Sequence, residues 1–376
     1  MKIMVGLSGG VDSAIAAYFL KKQGHEVAAG FMRNWDAYTN NDVLGNPTLN
    51  EDLCPPEVDY NDAKRVCETL DIPLYRIDFV KEYWDQVFSY FLKEYALGRT
   101  PNPDIFCNKY IKFASFKDFA ASQGYDYIAM GHYAKKCERD GKAYLCECAD
   151  ESKDQTYFLS QISQAQLQAT FFPLADVLKK DVRRIAAELG LSIATKKDST
   201  GVCFIGERHF KLFLKNYIPS QPGPIIDIIS KAKVGTHEGV YYYTIGQRKG
   251  LGIGGISDQP NGRWFVCNKD VKNNILYVTS ESEQDYLYGD EVVIDQLNFI
   301  TDIPESNRPY GGKFRYRQKQ VALRIMKLDK NEMIVKLDVP LKAITPGQAA
   351  VIYDGHLCLG GGIIKEVYAN GRLLIK

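Results

Sequence analysis

Long apolar runs are scarce in this chain. None approaches the ~18 consecutive apolar residues of a membrane-spanning helix, so no membrane role is expected. Excess charge of either sign is also missing: 47 Lys and Arg face 46 Asp and Glu, for a formal net charge of +1. Overall charge therefore announces no nucleic-acid partner, and any basic surface must be gathered locally. Paired cysteine motifs are missing as well. The nine cysteines (54, 67, 107, 137, 146, 148, 203, 267 and 358) are odd in number and include no C-x-x-C. That argues against a disulfide scaffold and against a zinc or iron–sulfur site, and no metal ligand set is expected. Cys146 and Cys148 are expected at alternate positions of one strand, facing one side. Internal repeats and low-complexity tracts are absent. Met1-Lys2-Ile3-Met4-Val5 leads straight into the first motif, leaving no room for a targeting segment, so a cytoplasmic protein is expected.

A hydrophobic share of 45% over 376 residues supports a sizeable core and two or three domains. The first part alternates strand and helix. Strands are predicted over 3–7, 27–32, 74–79 and 128–130. Helices are predicted over 13–23, 61–70, 81–97, up to Gly124, and 180–189. Such alternation implies a doubly wound parallel sheet with helices on both faces, and ligands outside the carboxyl ends of its strands. A helix is expected over 208–217, and the Pro-rich segment 219–224 reads as a stiff connector. Beyond it, short β-type runs at 264–266, 275–279, 291–294, 321–326 and 333–337 suggest a C-terminal β-barrel, with turns at 353–355 and 359–362. The stretch 37–58 reads only as a mobile insertion.

Ser8-Gly9-Gly10-Val11-Asp12-Ser13 lies between a predicted strand and a predicted helix. Two glycines let the backbone approach a phosphate, and the free N–H groups of a helix start favour an anion. Ser8 and Ser13 add hydroxyl donors. Asp12 has two open roles, capping the helix or approaching magnesium. The G-x-x-x-x-G-K-[ST] pattern is absent, so this is no ordinary P-loop. The hexapeptide resembles instead the PP-loop of the N-type ATP pyrophosphatases. That resemblance implies cleavage of ATP between its α and β phosphates and transfer of AMP to an oxygen.

Two thiols stand apart from the rest. Cys107 follows Asp104 by three residues in the segment 99–108, where Pro101 and Pro103 suggest an extended or turning loop, and Lys109 and Lys112 follow. Cys203 lies between Lys196-Lys197 and Arg208. Positive surroundings raise the thiolate fraction. The other seven cysteines read as small buried hydrophobes.

With these segments in hand, the chain resembles the tRNA-specific 2-thiouridylase family over essentially its whole length. The marks are 8–13, Phe31-Met32-Arg33-Asn34-Trp35, 99–108, Gly131-His132-Tyr133, Lys153 to Leu159, 198–204 and 243–252. The resemblance implies a PP-loop (adenine nucleotide alpha hydrolase-like) catalytic domain over 1–207, a central connecting, tRNA-binding domain over 208–288 and a β-barrel over 289–376. It implies ATP, with magnesium, held by Gly6, Leu7, Ser8, Gly9, Gly10, Val11, Asp12, Ser13, Met32 and Gly131. Cys203 would carry a persulfide received from a sulfur-donor protein. Cys107 would be the second catalytic thiol and Asp104 the acid or base. Asn102, Pro103 and Asp104 would lie near the target base. His132, Lys153, Asp154, Gln155, Arg315, Tyr316 and Gln348 would touch tRNA.

A local charge argument agrees. Lys313, Arg315, Arg317, Lys319 and Arg324 fall within twelve residues without an acid among them, interleaved with Phe314 and Tyr316. A rival PP-loop amide-forming ligase would not need the thiol pair. A non-catalytic tRNA-binding adaptor would tolerate losing it.

Overall fold

The computed structural model describes residues 1–49, 54–198, 205, 208–253 and 263–375. Its N-terminal part is built on five parallel strands. β1 (Lys2–Gly6), β2 (Glu26–Arg33), β3 (Leu74–Asp78), β4 (Tyr127–Met130) and a short strand Thr170–Phe171 lie in the spatial order β3, β2, β1, β4, Thr170–Phe171. Side chains alternate between two cores. Met4, Met32, Ile77, Ile128 and Met130 face one; Ile3, Val5, Val27, Ala29, Phe31 and Ala129 face the other. A sheet covered on both faces needs such uninterrupted apolar strands. α1 (Val11–Lys22), α2 (Pro55–Leu70) and the helix Lys179–Glu188 cover the second face through Ala14, Val66 and Val182. Helical segments between Val80 and Ser122 cover the first.

The doubly wound sheet is thus as expected, with local differences. The helix expected over 81–97 is α-helical over Val80–Tyr83 and Ser89–Ala96, with a π-helical turn at Trp84–Phe88 between them. α2 starts six residues earlier than expected, because Pro55 and Pro56 occupy its first turn, where a missing N–H costs nothing. Chain order also matters. It runs outward from β1 through β2 and β3, then returns to β4 on the other side of β1. That reversal opens a crevice at the carboxyl ends of β1 and β4.

Beyond the connector, strands Gly223–Asp227, Lys233–His237, Trp264–Asp270 and Ile275–Ser280 form a four-stranded sheet. Six further strands close a barrel in the order Tyr288–Phe299, Met333–Lys342, Val321–Leu328, Pro309–Lys313, Ala349–Asp354 and Leu357–Ala369, the last pairing back onto the first. The turn expected at 359–362 is instead the middle of that last strand. Its glycines serve close approach: a Cβ on Gly360 would sit 2.2 Å from the Asn298 carbonyl oxygen, and one on Gly361 2.0 Å from that of Ala350. Composition suggested a turn; closure of the barrel needed backbone without side chains.

A hairpin, Lys135–Arg139 with Lys142–Cys146, extends the barrel sheet from the N-terminal part, with Cys146 opposite Leu357. The strand ends at Cys146. Cys148 lies beyond it, packed in the core shared with α1 and α2, so the two cysteines do not share a strand face.

Candidate active site

The loop 8–13 occupies the crevice. Gly10 is the N-cap of α1, and Gly9 takes φ +73°, where a Cβ would strike the Asp59 carbonyl oxygen at 2.3 Å. Leu7 and Val11 are buried and anchor both ends. The Ser13 hydroxyl donates to Gly10 O at 3.0 Å and accepts the Ser8 N–H at 3.2 Å, curling the loop on itself. Gly6 leaves room for the side chains of Met130 and Met32; a Cβ there would be 2.7 Å from Met130 Sδ and 3.1 Å from Met32 Cε. Gly131 lies against the loop, with a Cβ position 2.7 Å from Ser13 N. The expected nucleotide residues therefore converge at the start of α1, whose first-turn N–H groups can receive an anion.

Charges hold this loop in ways its sequence did not disclose. Lys196 Nζ donates to Gly9 O at 3.1 Å and meets Asp59 and Asp62 of α2 at 2.7 and 2.6 Å. Burial lowers the Lys196 pKa, but the two carboxylates outweigh it and raise it. Asp12 does not cap α1. Its carboxylate receives Lys179 Nζ at 2.7 and 2.6 Å and the Tyr133 hydroxyl at 3.0 Å. Lys179 also meets Asp198 at 2.8 Å, as does Arg183, while Lys153 reaches its other oxygen at 3.0 Å. Burial pushes the Asp198 carboxyl up, yet the bonds from Lys179 and Lys153 hold it down at about 2. The sequence signal for Lys179 was indirect: the loop has no cation of its own.

The segment holding Cys107 is not the expected loop. Asn102 caps a helix, its Oδ1 accepting the Asp104 N–H at 3.1 Å, and Pro103 fills the first turn. The helix Pro103–Phe106 runs on as a π-helical stretch, Cys107–Ser115. Cys107 is fully buried among Ile105, Phe106 and Ile111. Lys109 is turned to Gln161 at 3.0 Å, and burial lowers its pKa. Cys203 lies outside the described residues. Beyond it, Arg208 meets the buried Asp42 at 2.8 Å, and Asp42 also accepts the Trp35 indole N–H at 3.0 Å. Residues 37–46 are therefore built into the fold rather than a mobile insertion. Leu44 and Asn216 exchange two hydrogen bonds at 2.9 and 3.0 Å, and the Tyr217 hydroxyl donates to Asn40 O at 2.8 Å.

The residues expected to face tRNA fall into two groups. Tyr316 lies 4.3 Å, ring to ring, from Phe158, which brings Arg315-Tyr316 beside the segment 153–159. Arg315 donates to Ala343 O. Gln155 Oε1 accepts the Tyr133 N–H at 2.9 Å, and the adjacent His132 ring lies 5.7 Å from that of Phe113. His132 is held neutral, because burial pushes its pKa well down, and its Nδ1 has no hydrogen-bond partner among the described residues. Asp154 points inward, accepting the N–H groups of Cys148 and Thr156. Gln348 belongs to the second group: its Nε2 donates to Thr100 O at 2.7 Å, beside the Asn102–Cys107 segment. Lys313 is a correction. It is buried, 2.7 Å from Glu147 and 3.7 Å from Asp154, and so is no part of a basic surface; Arg315, Arg317, Lys319 and Arg324 are exposed.

Three family models match the chain in series. They are described as a tRNA methyl transferase HUP domain (residues 1–207), a tRNA methyl transferase PRC-barrel domain (211–280) and an aminomethyltransferase beta-barrel domain (289–364). Relatives are similar from end to end. The tRNA-specific 2-thiouridylase MnmA of Mycoplasma capricolum subsp. capricolum is 54% identical over 374 residues, covering 97% of this chain and 99% of its own. That of Bacillus cytotoxicus is 49% identical over 374 residues, covering 99% and 97%. A solved 4-thiouridine synthetase–RNA complex with bound ATP is similar over 55% of this chain and 46% of its own, at 15% identity and a TM-score of 0.33, too weak to carry an argument. The loop in its crevice and this end-to-end identity lead to one conclusion: the chain belongs to the tRNA-specific 2-thiouridylase family.

Proposed function

We propose that this enzyme uses ATP to replace the C2 oxygen of a tRNA wobble uridine by sulfur. The observation that carries the chemistry is a glycine-rich loop without a P-loop lysine, seated at the β1/β4 crevice where Gly6, Met32 and Gly131 meet it. The relatives' names supply the tRNA. The C2 oxygen is a poor leaving group. It attacks the α-phosphate, pyrophosphate departs, and the oxygen then leaves as AMP. The outer sulfur of a Cys203 persulfide attacks C2 and displaces AMP. Cys107 thiolate next attacks the Cys203 sulfur, leaving the thiocarbonyl on the base and a Cys107–Cys203 disulfide for a reductant to reopen. In a second order, Cys107 first releases hydrosulfide from the persulfide, and hydrosulfide attacks C2.

The roles of individual residues belong to this reading. Asp104 in its helical first turn is the acid or base, and Asn102-Pro103 line the approach of the base. His132, Lys153, Asp154, Gln155, Arg315, Tyr316 and Gln348 form the tRNA side, Asp154 by shaping the segment rather than by contact. An anticodon base inside a stack is unreachable and must be splayed out. Magnesium would arrive on the ATP phosphates, facing Asp12; among the described residues no cluster of three His, Cys, Asp or Glu holds a metal alone. A persulfide-carrying protein supplies the sulfur, and the cytoplasm is the compartment; no helix among the described residues is long and apolar enough to cross a membrane. The units 1–207, 208–288 and 289–376 are proposed as domains. Product analysis tests the chemistry. Turnover yields AMP and pyrophosphate, and Asp12→Ala or Ser13→Ala slows it in a folded protein; ADP and phosphate as stoichiometric products would sink the reading.

A further inference from the structure

The loop 8–13 contains no lysine or arginine, yet a triphosphate brings several negative charges to it. The start of α1 offers only roughly half a positive charge. The balance has to come from outside the loop, and among the described residues two lysines reach it.

Lys196 is committed to the backbone. Its ammonium is divided between Gly9 O and two carboxylates of α2, neither of which belongs to the loop. Lys179 is placed differently. It meets both oxygens of Asp12, the second residue of α1, where an incoming anion would be favoured. On its other side stands Asp198. The Lys179 side chain is 10% exposed, whereas those of Asp12 and Asp198 are 31% and 37% exposed. The ammonium is thus covered by two carboxylates that are themselves open to solvent. Its backbone is fixed, because the Lys179 N–H donates to Asp150 Oδ2 at 2.9 Å at the start of the helix Lys179–Glu188. Only the side chain has to turn to trade a carboxylate for a phosphate.

We propose that Lys179 contacts the β- and γ-phosphates of ATP and stays with the departing pyrophosphate. Before the nucleotide binds, Asp12 and Asp198 hold the ammonium beside the loop, and from there its side chain turns to the phosphates. The assignment rests on the reading that the loop 8–13 binds ATP. It concerns a residue 166 positions beyond the loop's last member.

The test compares three ligands on the full chain without tRNA. Calorimetry measures ATP, inorganic pyrophosphate and AMP binding to the wild type, to Lys179→Gln and to Lys179→Arg. The glutamine variant loses roughly tenfold or more in affinity for ATP and pyrophosphate, as expected for a charge-assisted hydrogen bond. Its AMP affinity is unchanged, and the arginine variant recovers most of the loss. A merely structural lysine would lower all three affinities together, and that result overturns the assignment. So does wild-type affinity for ATP and pyrophosphate in Lys179→Gln. Should the single variant fail to fold, Asp198→Asn is compared with Asp198→Asn/Lys179→Gln. The paired change removes one acid with one base and so keeps the wild-type net charge of the cluster, and the same selective loss is expected. A wild-type protein that binds neither ATP nor pyrophosphate overturns the nucleotide reading itself, and this assignment with it.

Discussion

Asp198 shows how charge is shared at this site rather than paired off. Lys179, Lys153 and Arg183 all reach its carboxylate, so one acid ties the nucleotide loop to the segment 153–159. A carboxyl held near 2 in the folded protein contributes stability that is full above its unfolded value of 3.8 and is lost as pH falls through about 2. The stability gap between wild type and Asp198→Asn should therefore be flat from neutral pH to about pH 4 and narrow below it. Denaturant melts across that range check this; a gap that stays constant down to about pH 2 would contradict it. Cys107 is the second residue whose replacement is informative. It is fully buried beside Ile105, Phe106 and Ile111, so Cys107→Ser would put a more polar hydroxyl in the place of the thiol. Cys107→Ala is the cleaner variant. It should abolish thiolation while tRNA binding stays nearly intact and Cys203 still accepts a persulfide. Retained thiolation in Cys107→Ala would remove Cys107 from the mechanism.

Elements decide where the nucleotide meets the chain. β1 and β4 end side by side, and Gly131 follows β4 directly against Ser13. Gly131→Ala would drive a methyl to 2.7 Å from the Ser13 nitrogen, so loop or strand end must shift. ATP affinity should fall by roughly tenfold or more, because the start of α1 moves with the loop. Unchanged ATP binding would mean that the loop tolerates displacement. The strand–helix alternation, the loop and the barrel were all legible in the sequence, since each leaves a local pattern: apolar runs, a Gly-Ser hexapeptide, short β-type segments. Of what was not legible, one part was a local cap and the rest depended on distant partners. The segment at Cys107 reads as a loop because of its prolines, but Asn102 caps a helix there and Pro103 opens it. Gly360 and Gly361 read as a turn, but they exist because two neighbouring strands pass too close for side chains. The hairpin 135–146 finds its partner more than two hundred residues later, at Leu357. Lys179 meets a loop with which it shares no sequence context.

Over the whole molecule, the barrel is seated on the N-terminal part through buried polar contacts. The Tyr157 hydroxyl donates to Ala349 O at 3.1 Å, Thr156 and Tyr353 share a hydroxyl contact at 3.1 Å, and Gln348 holds Thr100 O. Buried groups of this kind cost stability when left unpaired, so they specify how the barrel is seated. Lys313 belongs to that seam with Glu147, which leaves Arg315, Arg317, Lys319 and Arg324 as the exposed basic stretch. Replacing Arg317 and Lys319 by Ala should flatten the salt dependence of tRNA binding by roughly two phosphate contacts. Lys313→Ala should instead lower stability and leave the slope alone; a slope reduced by Lys313→Ala and untouched by the other two changes would reverse this division. In the proposed function one chain joins ATP cleavage to sulfur transfer onto tRNA. The most direct test incubates the protein with tRNA, ATP and a persulfide donor, then reads the digested nucleosides by mass spectrometry. Uridine should be converted to 2-thiouridine at the wobble position, in dependence on ATP, and Cys203→Ser should not carry out the conversion. Thiolation that proceeds without ATP, or tRNA returned unmodified while ATP is consumed, would contradict the proposed function.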